Sequence, residues 1–168
     1  IPEYYRRCVA YAEKIGVSDR VVFRGTVKVR EVIHDYDALV LAPGARSVDL
    51  PIPGIDLPFV KTLRTIPDAV GVKEMAEPGV VIGAGFIGLE AAESLRLAGM
   101  EVALVEGSDH VLPPVEEELS SLVLDELERI GITVIESARV SGIEDEGGRG
   151  RVIVEGIDAL EADLVLVA

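Results

Sequence analysis

The sequence predicts an α/β fold built on a parallel sheet, and three observations support this prediction. Short apolar runs alternate along the chain with stretches of helical periodicity. In the clearest example an apolar run at 80–82 is followed by a glycine-rich turn, a helical stretch and a second apolar run at 102–105. A further apolar run occupies residues 164–167. Strands that alternate with helices in this way are typical of βαβ units, whose strands lie parallel.

The first 58 residues carry few strong signals. A helix is predicted over residues 3–15, ended by Gly16, because four side chains recur at helical spacing: Tyr4, Cys8, Tyr11 and Ile15. Shorter elements are predicted as a strand at 21–23, a turn of helix at 29–33 and a strand at 38–41. Prolines then fix the backbone and exclude ladder pairing, which predicts a stiff connector containing Pro51, Pro53 and Pro58. We place a domain boundary here, near residue 58.

The remaining residues predict the sheet and its helices. Thr65 is suited to cap a helix that runs to about Met75. Glutamates at 116–118 fit the solvated first turn of a later helix, whose expected apolar face consists of Leu119, Val123, Leu127 and Ile130. Strands are predicted at 79–82, 101–106, 132–135, 138–144 and 151–155, helices at 85–98 and 116–130, and a hairpin through Glu146, Gly147 and Gly148.

The turn after the first strand of the clearest unit reads Gly83-Ala84-Gly85-Phe86-Ile87-Gly88. Gly83 permits a tight strand-to-helix turn, and Gly85 lets a pyrophosphate approach the backbone with no Cβ in the way. Gly88 lets the helix pack close to the strand. The pyrophosphate would then lie on unpaired N–H groups at the positive end of the helix. These features predict a bound dinucleotide; the alternative is a structural βαβ turn whose glycines serve packing alone.

Glu106 ends the second strand of the same unit and predicts which dinucleotide is bound. A carboxylate at this position accepts hydrogen bonds from the adenosine ribose hydroxyls. It would repel a 2′-phosphate, and residues 107–110 contain no arginine or lysine to receive one. The sequence therefore predicts NAD(H) rather than NADP(H).

The charge is concentrated in the second half of the chain. Residues 79–168 hold 5 basic and 19 acidic side chains, whereas residues 1–78 are balanced. Such an acidic half would repel nucleic acid and anionic lipid, so neither is an expected partner. Because residues 79–168 contain no lysine, we expect backbone dipoles to hold the phosphates.

The sequence lacks the residues that several classes of functional site require. The single cysteine excludes an internal disulfide, fits a reducing cytoplasm, and is expected as a packed core residue. His34 and His110 are isolated from other metal ligands, so we expect no metal site. We also expect no catalytic residue within these positions. The absence of Asn and Gln, both thermolabile, suggests a thermophilic source.

Six segments together resemble a known family, the pyridine nucleotide-disulfide oxidoreductases, which are FAD- and NAD-linked flavoproteins. The second half is most similar to the NADH oxidase and coenzyme A-disulfide reductase branch. The first stretch, which is IPEYYRR with its helix and YDALVLAPGA, is more similar to the glutamate synthase small-subunit branch. The segments are YDALVLAPGA (36–45), PIPGIDLP (51–58), TLRTIPDAV (62–70), VVIGAGFIGLEAAESL (80–95), VALVEGSDHVLPP (102–114) and ADLVLVA (162–168).

The resemblance implies a Rossmann-like parallel sheet with a β-meander in a three-layer FAD/NAD(P)-binding domain at 59–168. Residues 1–58 would be the C-terminal part of the first half of an FAD-binding domain, a partial second Rossmann-like domain. In that family Phe86 would cover the nicotinamide pocket and Glu90 would face the nicotinamide and flavin; the alternatives are a core aromatic and an exposed helix acid. The flavin-side contacts would be Ala42, Pro43 and Gly44, with Pro43 in place of the usual threonine.

The family's first GxGxxG and its C-terminal Gly-Asp motif do not occur in this sequence. We therefore expect a fragment that binds NAD(H) but cannot hold FAD alone. The parent would be an FAD-dependent oxidoreductase that passes hydride from NADH to flavin and on to oxygen, a disulfide or a protein acceptor. The alternative is a stand-alone NAD(H)-binding or redox-sensing module without activity. Homodimerisation of the complete protein is left open.

Overall fold

The computed structural model describes residues 2–38, 40, 42, 50–75 and 78–168. The chain divides into two compact units, Ile1–Ala45 and Arg46–Ala168. In the proline-rich segment, Ile52, Ile55 and Leu57 pack against the apolar core of the second unit. The boundary predicted near residue 58 separates part of a split FAD domain from the NAD(H)-binding domain, and it stays a prediction.

The first unit is mainly helical in its described part. It contains α1 (Pro2–Lys14), a 3₁₀ turn (Ser18–Arg20), and α2 (Val29–Val32), which continues into a second 3₁₀ turn (Ile33–Asp35). Both predicted helices are confirmed. The strand predicted at 21–23 is wrong, because no strand in the described part of this unit pairs with it. The strand predicted at 38–41 includes positions outside the described residues.

The face of α1 that was expected to be buried is largely exposed. Tyr4 and Tyr11 are open to solvent and Cys8 is half-buried, so the expectation of a core cysteine is wrong. Ala12 is the buried residue on this helix. The described part of the unit offers no sheet on which the helix could bury its apolar side.

The second unit contains a five-stranded parallel sheet in the order β1-β8-β2-β3-β4. In such a sheet, right-handed crossover connections join the parallel strands, and the helices lie in these connections. Its elements are β1 (Val60–Thr62), α3 (Ile66–Lys73), β2 (Gly79–Ile82), α4 (Phe86–Leu97), β3 (Val102–Val105), α5 (Glu117–Arg129), β4 (Thr133–Ile135), β5 (Val140–Asp145), β6 (Gly150–Val154), β7 (Leu160–Ala162) and β8 (Leu164–Val167).

The central strands of this sheet are buried on both faces. In β2, Val81 packs in the cluster that holds the helices, whereas Val80 and Ile82 pack in the cluster that holds the meander. In β8, Leu166 and Val165 are divided in the same way. Burial on both sides explains why these strands appear in the sequence as continuous apolar runs. The result is the predicted three-layer α/β fold.

The third layer is an antiparallel meander of β5, β6 and β7. Its predicted hairpin is confirmed, and the Asp145 carboxylate accepts a hydrogen bond from the Gly148 N–H across the turn (2.6 Å). The three-residue strands β1 and β7 were not predicted. Neither is buried along its whole length, so neither forms an apolar run that the sequence could reveal.

The helix predicted after Thr65 and the helix predicted at 116–130 are both present, with one correction. Thr65 caps α3 through a capping box with Asp68. In α5 the predicted residues Val123, Leu127 and Ile130 pack in the core. Leu119 is exposed instead, and Ser120 is buried. The Ser120 hydroxyl can enter the interior because it donates a hydrogen bond to the Val111 carbonyl (2.6 Å). No helix among the described residues is long and apolar enough to cross a bilayer.

Candidate dinucleotide-binding site

The turn between β2 and α4 is held in a conformation that requires glycine. Gly83 has a φ of +101°, and a Cβ there would lie 2.6 Å from the Ala168 carbonyl oxygen at the end of β8. The Gly83 N–H donates to the Val105 carbonyl of β3 (2.8 Å). The turn is therefore fixed at the carboxyl edge of three neighbouring strands, where α/β sheets bind their ligands.

Because Gly88 has no side chain, the first turn of α4 packs closely against the loop between β2 and α4. A Cβ at Gly88 would lie 1.9 Å from the Gly83 carbonyl oxygen and 3.4 Å from the Ala168 Cβ. The close approach predicted for Gly88 is present, and its immediate partner is the backbone of Gly83. The helix axis therefore points its N-terminus at the space above the turn.

Gly85 leaves that space open. It is the N-cap of α4, no side chain caps this helix end, and a Cβ built on Gly85 would meet nothing within 4 Å. The N–H groups of the first helical turn, beginning with Phe86 and Ile87, have no partner among the described residues. These donors and the positive end of the helix dipole form a site suited to a phosphate.

Glu106 joins the end of β3 to the glycine-rich turn. One carboxylate oxygen accepts from the Ala84 N–H (2.6 Å) and the other from the Ser108 N–H (2.8 Å). The side chain is 9% exposed and Ala84 is fully buried. Each carboxylate oxygen has a second lone pair, so acceptor capacity remains for ribose hydroxyls.

The carboxyl group of Glu106 is kept ionised by its surroundings. Burial is the largest single influence, and alone it would raise the pKa. Hydrogen bonds from the backbone of Ala84, Ser108 and Gly107 together outweigh it and hold the pKa of Glu106 below its usual value. The edge of the site is therefore negatively charged at neutral pH.

Three other predicted residues lie on the first turns of α4. Phe86 is 65% exposed, so the alternative that placed it in the core is wrong. Ile87 and Glu90 are also exposed, and they lie on the side of α4 that faces a cavity towards α3. Their exposure leaves all three side chains available to a ligand or to another protein segment.

A cavity of about 540 Å³ lies beside the turn at the carboxyl edge of the sheet. Gly83, Gly107, Ala138 and Ala168 line it, together with Arg139, which the sequence analysis did not consider. The local sequence carried no signal for it, because Arg139 is brought near the Glu106 segment by the pairing of β4 with β3. It lies outside residues 107–110, the positions that directly follow Glu106 in the chain.

The flavin-side positions are only partly described. Ala42 is an exposed residue of the first unit, whereas Pro43 and Gly44 lie outside the described residues. Within the described ranges no group of three or more His, Cys, Asp or Glu side chains could hold a metal ion. His110 donates from Nδ1 to the neighbouring Val111 carbonyl (2.8 Å), which gives it a local structural partner.

Comparisons with known proteins support the interpretation of this geometry. Residues 7–168 match the family described as pyridine nucleotide-disulphide oxidoreductase. The epsilon subunit of NADH-dependent phenylglyoxylate dehydrogenase from Aromatoleum evansii is 33% identical over 172 residues, which cover 98% of this chain and 40% of that protein.

Two solved structures are similar in fold. An FAD-dependent pyridine nucleotide-disulphide oxidoreductase from Desulfovibrio vulgaris is 34% identical, with a TM-score of 0.68 over 79% of this chain and 35% of that chain. A water-forming NADH oxidase from Lactobacillus brevis, bound to NADH, is 26% identical, with a TM-score of 0.70 over 78% of this chain and 30% of that chain.

The chain spans less than half the length of these relatives. The family match nevertheless covers both units and includes the glycine-rich turn, the acidic strand end and the meander. The predicted resemblance is thereby confirmed. This chain belongs to the pyridine nucleotide-disulphide oxidoreductase family.

Proposed function

We propose that this chain is the NADH-binding portion of an FAD-dependent oxidoreductase. The observation that carries the proposal is the open N-terminus of α4, where Gly85 leaves free space in front of unpaired N–H groups. An NADH-bound structure in the same family supports the choice of ligand. We also propose a cytoplasmic setting and a thermophilic source, supported by the single cysteine and by the absence of Asn and Gln.

The roles of the residues follow from their positions. The N–H groups at the start of α4 would hold the pyrophosphate, and Glu106 would accept hydrogen bonds from the adenosine ribose. Phe86 would shield the nicotinamide end, since its ring is exposed beside the same helix terminus. In the complete protein the flavin would accept the hydride and pass electrons to oxygen, a disulfide or a protein acceptor.

The flavin-side contacts are part of the same proposal. Ala42, Pro43 and Gly44 would approach the flavin from the first unit, as the family pattern implies. Because the sequence contains neither the family's first GxGxxG nor its C-terminal Gly-Asp motif, we expect these positions not to hold FAD by themselves.

The 168-residue chain, expressed alone, is expected to purify without FAD. Its one glycine-rich phosphate turn is the one proposed for NADH, so no second turn remains for the flavin pyrophosphate. An absorbance scan over the flavin bands, recorded after gel filtration, measures this. A stoichiometric flavin band would contradict the expectation and assign an FAD site to these residues.

NADH is expected to bind more tightly than NADPH to the same chain. Glu106 is ionised at neutral pH and would repel the 2′-phosphate of NADPH. Titration of each nucleotide, followed by nicotinamide fluorescence, gives the two dissociation constants. Equal binding, or tighter binding of NADPH, would contradict the assignment of Glu106. Failure of both nucleotides to bind would contradict the proposed function.

A further inference from the structure

Arg139 lies against the segment that carries Glu106. The residues just before it are tied to that segment by two backbone hydrogen bonds, from Ser137 N–H to the Ser108 carbonyl (2.7 Å) and from Ala138 N–H to the Glu106 carbonyl (2.9 Å). Arg139 lines the cavity of about 540 Å³ together with Gly107. Its position beside the adenosine end of the proposed site is therefore set by the backbone.

The guanidinium of Arg139 has no partner among the described residues, unlike those of the other arginines in 79–168. Each of the others is engaged by a carboxylate or by backbone carbonyls: Arg96 by Ile130 and Met100, Arg129 by Glu126, Arg149 by Glu161 and Asp163, and Arg151 by Glu144 and Glu146. An exposed guanidinium that lines a cavity and is left unpaired is available to an anionic ligand.

The carboxylates near the cavity would make it unfavourable for a phosphate, and Arg139 opposes this effect. Glu106 lies in the chain between Val105 and Gly107, which line the cavity, and both its oxygens are bound to backbone N–H groups. Glu155 lines the cavity and forms no ion pair with the described residues. Both would repel a phosphate on the adenosine ribose. Arg139 is the cation that lines the same cavity, and a guanidinium can bind a phosphate through two parallel hydrogen bonds.

We propose that Arg139 is a specificity-determining residue that binds the 2′-phosphate of NADPH. With Arg139 present, the domain discriminates against NADPH less strongly than it would if Glu106 acted alone. NADH carries a neutral hydroxyl at this position, so Arg139 contributes little to NADH binding. The inference rests on the proposed dinucleotide site and adds a second determinant of its nucleotide preference, in the segment between β4 and β5.

The test compares dissociation constants of NADH and NADPH for the 168-residue chain and its Arg139→Ala variant. Loss of one charge-assisted phosphate contact is expected to weaken NADPH about tenfold and NADH less than about twofold. Arg151→Ala is the matched control, because Arg151 is a similarly exposed arginine that pairs with Glu144 and Glu146 in the meander. It should leave both constants unchanged.

The same measurement in a Glu106→Ala background removes the main repulsion and makes weak NADPH binding measurable. NADPH affinity should rise in Glu106→Ala and fall again in the double variant Glu106→Ala/Arg139→Ala. A gain that persists without Arg139, or an equal effect of Arg139→Ala on both nucleotides, would overturn the inference. Absence of NADH binding in the unsubstituted chain would instead contradict the proposed function, so the two failures are distinguishable.

Discussion

Replacing Gly85 with valine is expected to abolish NADH binding while the fold remains intact. The φ of Gly85 is −74°, which any residue adopts, and a Cβ there would meet nothing within 4 Å, so we expect the fold to accept the substitution. The valine side chain would instead fill the space in front of the helix N-terminus. We expect a loss of at least about 100-fold in affinity, because the phosphate site supplies the main attraction. Titration with NADH measures the affinity, and thermal melting measures the stability, of both the unsubstituted chain and the Gly85→Val variant.

Gly88→Ala is the companion variant, with the opposite expected result. Its methyl group would lie 1.9 Å from the Gly83 carbonyl oxygen, a backbone atom that cannot move freely. Overpacking of this kind costs about 3 kcal/mol, and the better helix propensity of alanine returns only about 1 kcal/mol. The free energy of unfolding should therefore fall by about 2 kcal/mol.

Gly71→Ala is the control for helix propensity. Gly71 lies in α3, and its Cβ direction meets nothing within 4 Å, so this variant should be slightly more stable than the original chain. If Gly85→Val retained the rise in melting temperature that NADH produces, the phosphate would lie elsewhere. If Gly88→Ala were as stable as Gly71→Ala, the tight contact between α4 and the turn would be contradicted.

Replacing Glu106 with glutamine is expected to lower stability at neutral pH by about 1–3 kcal/mol, the cost of an unsatisfied buried polar group. One accepting oxygen becomes an NH₂ donor that must face the N–H of Ala84 or of Ser108. Denaturant unfolding at neutral pH measures the change. Glu155→Gln serves as the control, because Glu155 is exposed and its side chain has no hydrogen-bond partner among the described residues.

The cost of Glu106→Gln should depend on pH in a defined direction. Hydrogen bonds hold the pKa of Glu106 below its usual value in the folded protein. The stabilisation that this provides is complete above the pKa of the unfolded state and is lost as the pH falls through the pKa of the folded state. The stability difference between the two proteins should therefore shrink in acid. A difference that is constant with pH would contradict the ionised, hydrogen-bonded carboxylate.

Local signals in the sequence were sufficient for the central βαβ unit. The apolar runs of β2 and β3, the glycines at 83, 85 and 88, and the acid at 106 lie within one short stretch, where chain connectivity already fixes their relation. The capping residue Thr65 and the hairpin at 146–148 were predictable for the same reason. In each case the physical cause acts between residues that are close in the chain.

Contacts between distant segments were not predictable. The inward turn of Ser120 depends on the Val111 carbonyl, and the short strands β1 and β7 exist because neighbouring strands pair with them. The exposure of α1 and the loss of the predicted strand at 21–23 have the same kind of cause, since the described part of that unit supplies no sheet. Burial and pairing depend on partners that local periodicity does not specify.

The sequence by itself determined the class of ligand, because the glycine spacing and the acid at the strand end are local requirements for binding a dinucleotide. Only the tertiary structure decided what surrounds that ligand. It tied both oxygens of Glu106 to Ala84 and Ser108, and it placed Arg139, from the segment after β4, in the cavity that Gly107 also lines. Parallel strands align their carboxyl ends whatever their separation in the chain, so the residues that tune specificity are gathered by the register of the sheet.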